Sequence, residues 1–430
     1  MHAMNDVATR AVSGGWPERY KLVALCVCAV FVCYIDRVNI SVAVLAMQEQ
    51  YNWSESTKGL VMSAFFIGYM ALMPTSGWLA NQFGGKRVLG YAVLWWSLWT
   101  LLTPLAAAWS LPALVFARIA MGAGEAATFP AIYNLYGRWI LPTERSRAVA
   151  LLIGGIPLGT LTALMSTGWI INHYGWPPVF YLFGSIGFLW CLAWFPRTTD
   201  RPDAHPRIST TELALIRESA PATTERAPVP WRRLLRAPAV WALIINHFCS
   251  NWVFYMLLAW LPSYFKNQLG LSITKSGIYA AGPWLAMFAV GMFSGWFGDK
   301  LVKRGVGVTV VRKTMQVTGL VGAALFMLAA RDVSTVNTAF ALMCGALGML
   351  AFTWTGFLPN HLEIAPRYAD VVMGLTNTAG TIPGIVGVAL TGWLVDQTHS
   401  YTAAFALAAG VNIFGAIVWL LFGTAEKVVD

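Results

Sequence analysis

The chain reads as a succession of long apolar runs broken by short polar stretches. The runs cover roughly 20–47, 58–81, 87–108, 110–139, 146–171 and 176–195, then 238–265, 272–298, 312–330, 334–360, 368–395 and 401–423. At about 1.5 Å of rise per residue, each is long enough to cross a hydrocarbon core of about 30 Å as a helix. A helix also satisfies its own backbone hydrogen bonds where water cannot. The pattern predicts an all-α membrane protein with twelve transmembrane helices. Only one connection is long: residues 197–236 carry eight arginines, several prolines and a Ser209-x-x-Glu212 capping box, which predicts a short amphipathic helix. The expected organisation is an N-terminal six-helix bundle over 1–196, a cytoplasmic linker over 197–236 and a C-terminal six-helix bundle over 237–430.

The two halves echo each other. Gly77-Trp78-x-x-Asn81-Gln82-x-x-x-Lys86-Arg87 follows the second span, and Gly295-Trp296-x-x-Asp299-Lys300-x-x-Lys303-Arg304 follows the eighth, 218 positions later. A fainter echo pairs Ile156-Pro157 and Thr167-Gly168-Trp169 with Ile382-Pro383 and Thr391-Gly392-Trp393. Internal repeats that place a site between two pseudo-twofold-related bundles are a feature of transporters. In the two loop motifs, the glycines Gly77 and Gly295 let helix ends approach. The charged side chains Lys86, Arg87, Asp299, Lys300 and Arg304 can then latch neighbouring helix ends and gate one side. Asn81 stands where the second motif has its acid, so the first latch is expected to be the weaker. A tight basic turn with no gating role is the plainer alternative.

Composition agrees with the apolar pattern: 57% of residues are hydrophobic and 11% charged, against about 25% charged in soluble domains. The net charge of +10 is a matter of topology. With the N-terminus in the cytoplasm, 23 of the 29 Lys and Arg fall in cytoplasmic segments, Lys58, Lys266, Lys275 and Arg331 in external loops, and Arg37 and Arg118 inside spans. This asymmetry is the positive-inside distribution and argues against nucleic acid as a partner. The six cysteines lie within spans, without metal-ligand spacing, and read as packing. No metal or cofactor site is expected, and no nucleophile–base set suggests an enzyme. The first apolar run is too long for a cleavable signal.

Four ionisable residues sit well inside spans: Asp36 and Arg37 in the first, Arg118 and Glu125 in the fourth. Each costs about 2.5–3.5 kcal/mol at mid-membrane on insertion scales, so such groups tend to mark substrate paths and relays. Two acids and two arginines can also simply neutralise each other. Arg118 and Glu125 are seven residues apart and share nearly one helix face about 10 Å along the axis. Gly122 and Gly124 thin the helix between them. Arginine suits anion capture, because its planar fork grips a carboxylate bidentately. Buried Asp and Glu suit proton carriage, because their proton affinity depends on which arginine is near. Among neutral groups, Trp354 beside Thr353, and Asn377 among small residues, are candidate cavity contacts. His247 and His361 read as hydrogen-bonded structure.

Several runs carry a resemblance. They are Tyr34-Ile35-Asp36-Arg37-Val38-Asn39-Ile40-Ser41, the Arg118…Glu125 pair with Phe129-Pro130, Asn360-His361-Leu362-Glu363-Ile364-Ala365-Pro366-Arg367-Tyr368-Ala369, and Asn377-Thr378-Ala379-Gly380. Together they resemble the anion:cation symporter family of the major facilitator superfamily, over nearly the whole chain after residue 17. The resemblance implies the major facilitator fold and alternating-access transport of an organic anion, often with protons. It further implies Arg37 as the ligand of the substrate carboxylate, with Tyr34, Tyr69, Trp354 and Asn377 as substrate contacts. Asp36 and Glu125 are implied as protonation sites, and Arg118 as the coupling partner of Glu125. Where sugar-acid carriers of the family have a polar Asn-Ser-x-Gln run, this chain has Ile153-Gly154-Gly155-Ile156, which predicts an apolar pocket wall.

The functional expectation is a proton-coupled symporter of an organic carboxylate in a bacterial inner membrane, monomeric, with both termini cytoplasmic. An exchanger or a membrane-potential-driven carrier is the alternative within transport. An anion-sensing receptor is the alternative outside it, although the longest soluble stretch, 197–236, is short for an output domain.

Overall fold

The computed structural model describes residues 16–219 and 229–428, and every regular element among them is helical. In chain order the first bundle contains α1 Glu18–Tyr51, α2 Glu55–Phe83, α3 Gly85–Trp109, α4 Leu111–Glu125, α5 Thr128–Trp139, α6 Arg145–Tyr174 and α7 Pro177–Arg197. The connection carries α8 Thr210–Glu218 and α9 Trp231–Arg236. The second bundle contains α10 Pro238–Ser263, α11 Ile273–Lys303, α12 Val308–Ala329, α13 Val336–Leu350, α14 Phe352–Gly356, α15 Asn360–Ile364, α16 Ala369–Thr398 and α17 Thr402–Phe422. Residues 220–228 of the expected linker, and both chain ends, lie outside the described residues.

Ten stretches are long and apolar enough to cross a membrane, with α13–α15 counted as one. The expected twelve are completed by two less uniform spans. One is α12, whose first turns carry Arg312, Lys313 and Gln316. The other is α4–α5, which breaks at Ala126–Ala127 directly after Glu125. Serine side chains start several helices by accepting a backbone N–H: Ser54 from Thr57, Ser110 from Ala113, Ser272 from Lys275, and Ser209 from Glu212 as the capping box predicts. Gly84 ends α2 at φ +88°, where a side chain would be strained.

Within the first bundle α1 lies along α6, and α4 packs against both α2 and α3. Gly68 and Gly122 allow the α2–α4 approach: a Cβ on either would overlap the backbone carbonyl of Ile119 or Phe65. Between the bundles α2 meets α16, α6 meets α11, and α1 meets α10.

These crossings are tightest on the face opposite the basic loops, here called the outer face. Asp396 of α16 accepts the backbone N–H groups of Glu55 and Ser56, both at 2.7 Å, capping α2 across the bundle boundary. Lys266 pairs with Glu49, Asn267 donates to Glu55 Oε1 at 3.0 Å, and Thr274 donates to the Gly168 carbonyl at 2.9 Å. Lys58, counted above as an external-loop charge, is in fact buried. It lies 2.5 Å from Glu55 and 3.0 Å from Gln48 Oε1, over the Trp260 ring at 5.0 Å. The two Thr-Gly-Trp echoes meet here as well: a Cβ on Gly168 would press on Thr274 of α11, and one on Gly392 on Glu55 of α2. On the basic face the main ion pairs stay within a bundle or its linker, as Arg19–Glu144, Arg19–Glu212 and Arg312–Glu363.

Candidate functional site

Arg37 of α1 and Glu125, the last residue of α4, meet in the interior of the first bundle. Arg37 donates from Nε at 2.9 Å and lies 2.8 Å from the same oxygen through Nη2, so both contacts fall on Glu125 Oε2. The Cys33 thiol, one turn before Arg37, donates to that oxygen at 3.1 Å. Glu125 Oε1 has no hydrogen-bond partner among the described residues. Three rings enclose the guanidinium: Tyr34 at 4.7 Å, Tyr69 at 4.9 Å and Phe65 at 5.0 Å from ring centre to Cζ. These are cation–π distances.

The pairing differs from the expected one. Glu125 is bound to Arg37 and not hydrogen-bonded to Arg118, because two helical turns separate the latter pair while α1 presents Arg37 directly. Arg118 is 1% exposed, lies over the Phe65 ring at 5.4 Å, and contacts Met121 Sδ through Nη1 at 3.1 Å. Its Nε has no hydrogen-bond partner among the described residues. Asp36 is fully buried, and both its oxygens lack a hydrogen bond among the described residues. The Trp96 indole N–H lies beside it, short of hydrogen-bond geometry. Asn39, one turn on from Asp36, is equally buried and unpartnered. As sequence neighbours, Asp36 and Arg37 point about 100° apart around α1.

A small chamber separates Arg37 from Arg118. Its volume is about 20 Å³, room for little more than one water, and its walls include Ile40, Met62, Phe65, Phe66, Tyr255 and Leu258. The apolar wall expected from Ile153–Ile156 is therefore supplied by α1, α2 and α10 instead. Gly155 and Gly159 pack on α1 beside Val27 and Phe31, and Ile153 is 41% exposed.

Of the other expected contacts, Tyr34 and Tyr69 join Arg37, while Thr353 and Trp354 do not. Thr353 spends its hydroxyl on the Leu350 carbonyl at 2.7 Å and packs against Gly319 of α12. Trp354 lies on Gly291 of α11. Asn377 is half-buried on the bundle boundary, 3.6 Å from Met73 Sδ of α2. His361 is bonded to Thr376 Oγ1 at 2.8 Å and the Leu358 carbonyl at 2.9 Å, as a structural histidine would be.

Among the described residues the charged groups of the loop motifs make no ion pair, although Asn81 of the first accepts a hydrogen bond from Asn134 Nδ2 of α5 at 2.7 Å. A Cβ at Gly77 or Gly295 would meet nothing within 4 Å. Asp299 and Arg304 are exposed, and Lys300 lies over its own helix's Trp296 at 4.5 Å. In the first motif the missing acid is replaced from elsewhere: Asp200, after α7, accepts the Lys86 amide at 2.8 Å.

Sequence reasoning missed Cys33, Tyr255, Lys58 and Asp396. Cys33 had a signal, since it is four residues before Arg37 on the same face. Tyr255 and Asp396 had none, because they reach their positions only through packing between bundles.

Two helical bundles that enclose buried arginines and acids near their common boundary are the architecture of a membrane transporter. The sequence profile of the Major Facilitator Superfamily matches residues 26–388. The ascorbate transporter, chloroplastic, of Arabidopsis thaliana is 41% identical over 96% of this chain and 76% of its own length. The sodium-dependent phosphate transport protein 1, chloroplastic, of the same plant is 40% identical over 96% and 81%. Sialin of Ovis aries is 33% identical over 95% and 90%. Among solved structures, a bacterial homologue of the human lysosomal transporter Spinster, in an inward-facing and occupied conformation, superposes with a TM-score of 0.78 at 16% identity, covering 95% of this chain and 97% of that one. The D-xylose–proton symporter gives 0.75 at 16% identity over 95% and 99%. The chain belongs to the major facilitator superfamily, and these relatives place it with the superfamily's anion transporters.

Proposed function

We propose that the protein is a proton-coupled symporter of an organic carboxylate that works by alternating access between the bundles 1–196 and 237–430. The observation that carries this reading is the Arg37–Glu125 pair, made on one carboxylate oxygen inside an aromatic chamber. An incoming carboxylate offers Arg37 two oxygens and can displace Glu125. Glu125, left without its arginine in apolar surroundings, is cheapest in its protonated form. Substrate on Arg37 and proton on Glu125 thus bind together. Arg118, with a free Nε on the chamber, completes the anion site, and Asp36 is the second proton carrier. Tyr34 and Tyr69 contact the substrate body. Thr353, Trp354 and Asn377 can do so only after a rearrangement. The outer-face contacts, and on the basic face the loops around Gly77, Lys86, Arg87, Gly295, Asp299, Lys300 and Arg304, act as the two gates.

The chamber walls favour a substrate with an apolar or lightly hydroxylated body, since burying each unpaired hydroxyl costs about 1–3 kcal/mol. The relatives named for ascorbate and for phosphate frame the test set. The protein acts as a monomer in a bacterial inner membrane, a location read from the sequence alone; the plant relatives are named as chloroplastic.

Two observations favour a second reading, coupling to sodium. The unpartnered oxygens of Asp36 and Asn39 are ligands of the right kind, and one relative is named sodium-dependent. Uptake of labelled acids into proteoliposomes, with membrane potential clamped and the pH and sodium gradients varied separately, decides between them. Accumulation that follows pH supports the proton reading, and accumulation that follows sodium and ignores pH refutes it.

A further inference from the structure

A second cleft, separate from the Arg37 chamber, opens on the basic face where the start of α3 meets the end of α7. It encloses about 400 Å³ and is lined by Lys86, Arg87 and Arg201, by Asp200, and by the rings of Tyr91 and Phe195. Three cations thus share the cleft with one carboxylate. That carboxylate is already engaged, since Asp200 Oδ1 holds the Lys86 amide at 2.8 Å. None of the three cations makes an ion pair among the described residues.

The other wall is apolar. Tyr91 and Phe195 stand 5.7 Å apart at an interplanar angle of 54°. Gly90 is what admits Phe195, because a Cβ there would come within 2.6 Å of the ring. Tyr91 follows Arg87 by one helical turn, about 6 Å deeper into the span, and is 64% exposed on the bundle's surface. The cleft is therefore cationic at its mouth and aromatic toward the hydrocarbon.

That gradient is the complement of an amphiphile. A soluble anion would satisfy the cations and leave the rings unused, whereas an uncharged lipid would do the reverse. Guanidinium groups fork onto phosphate oxygens, and basic residues at a membrane surface attract acidic headgroups. We propose that this cleft binds the phosphate headgroup of an acidic phospholipid, with Lys86, Arg87 and Arg201 on the phosphate and an acyl chain against Tyr91 and Phe195. Lys86 and Arg87 belong to the first loop motif and Arg201 to the linker, so a bound headgroup ties these two segments of the basic face together.

The test is native mass spectrometry of the full-length protein taken from nanodiscs containing phosphatidylglycerol and phosphatidylcholine. Wild type should retain a phosphatidylglycerol through delipidation, and inorganic phosphate should not displace it. The combined Lys86→Gln, Arg87→Gln, Arg201→Gln variant should lose retention on the order of 100-fold, and Arg201→Gln alone roughly fivefold. Tyr91→Ala should weaken retention of the lipid with no change in the effect of phosphate. Arg201→Gln lies on an exposed segment and keeps the test valid if the triple variant does not fold. Retention that is unchanged in Arg201→Gln overturns the site. Displacement by inorganic phosphate, with Tyr91→Ala indistinguishable from wild type, overturns the lipid as its occupant.

Discussion

Arg37 reaches Glu125 through two nitrogens but only one oxygen, Oε2, and leaves Oε1 without a partner. A buried ion pair made this way uses one oxygen only, so a ligand that presents both carboxylate oxygens to the guanidinium has an advantage over the resident Glu125. Breaking a buried pair by removing one partner typically costs 3–5 kcal/mol. Exchanging one carboxylate for another avoids most of that cost.

The first prediction concerns the fork itself. Arg37→Lys keeps the charge but cannot make two parallel hydrogen bonds, and lysine lacks the flat face that Tyr34, Phe65 and Tyr69 enclose. Substrate affinity should fall by about tenfold or more, the loss of one charge-assisted hydrogen bond at about 1.5–3 kcal/mol. Isothermal titration in detergent measures it, and wild-type affinity in the Lys variant would remove Arg37 from the binding site.

Asp396 ties the two bundles together on the outer face. Asp396→Ala deletes two hydrogen bonds of 2.7 Å from the Glu55 and Ser56 amides and leaves the α2 N-terminus without its counter-charge. The outward-open population should rise roughly tenfold or more, given about 1.5–3 kcal/mol for each charged hydrogen bond. Spin labels on the exposed ends at Asn52 and His399 should report a longer distance by pulsed EPR. An unchanged distance distribution would show that Lys58, Trp260 and Lys266 hold the face closed without Asp396.

Arg19 anchors the linker. It grips Glu144 through Nε at 2.9 Å and Nη2 at 3.1 Å, and Glu212 of α8 through Nη1 at 3.1 Å. Glu212 also accepts the Glu18 and Arg19 amides at the start of α1, each at 3.1 Å. Arg19→Met should destabilise the protein by about 1–3 kcal/mol and make the 198–219 segment more sensitive to protease. At Glu144 burial works against the charge, but the hydrogen bonds from Arg19 and Tyr20 outweigh it and hold the carboxyl below its ordinary value of 4.5. A depressed carboxyl stabilises the fold above its unfolded pKa and loses that contribution as pH falls through the folded one. Wild type should therefore lose thermal stability on acidification below the ordinary carboxylate range more steeply than Arg19→Met. Parallel curves would separate the anchor from Glu144.

The spans, the capped linker helix and the identity of the buried charges were legible in the sequence, because each has a local signature. Apolar length marks a span, Ser209 with Glu212 marks a helix start, and Arg37 or Glu125 in an apolar run marks itself. Partnership was not legible. Arg118 and Glu125 share a helix face and read as a pair, yet the tertiary approach of α1 gives Glu125 to Arg37. Lys58 read as a loop charge because its burial depends on Trp260, about two hundred residues away in sequence. Thr353 and Trp354 read as cavity contacts from polarity and size, but helical neighbours Gly319 and Gly291 offered them closer packing.

The last prediction separates binding from coupling. Glu125→Gln keeps the size of the side chain and removes its charge, as protonation does. Arg37 then has no resident carboxylate and is released to the substrate without a proton being taken up. Exchange of labelled for unlabelled substrate across proteoliposomes should persist, because it needs only the loaded carrier to reorient. Uphill accumulation driven by a pH gradient should be lost, because one of the two carboxyls that link proton to substrate no longer titrates. Cys33→Ala is the control: it removes the thiol bonded to the same Oε2 at 3.1 Å but leaves the carboxyl in place, so accumulation should survive with altered affinity. If the Gln variant still accumulates substrate against its gradient, the proton is carried by Asp36 alone and the Arg37–Glu125 pair serves only to hold Arg37 in position.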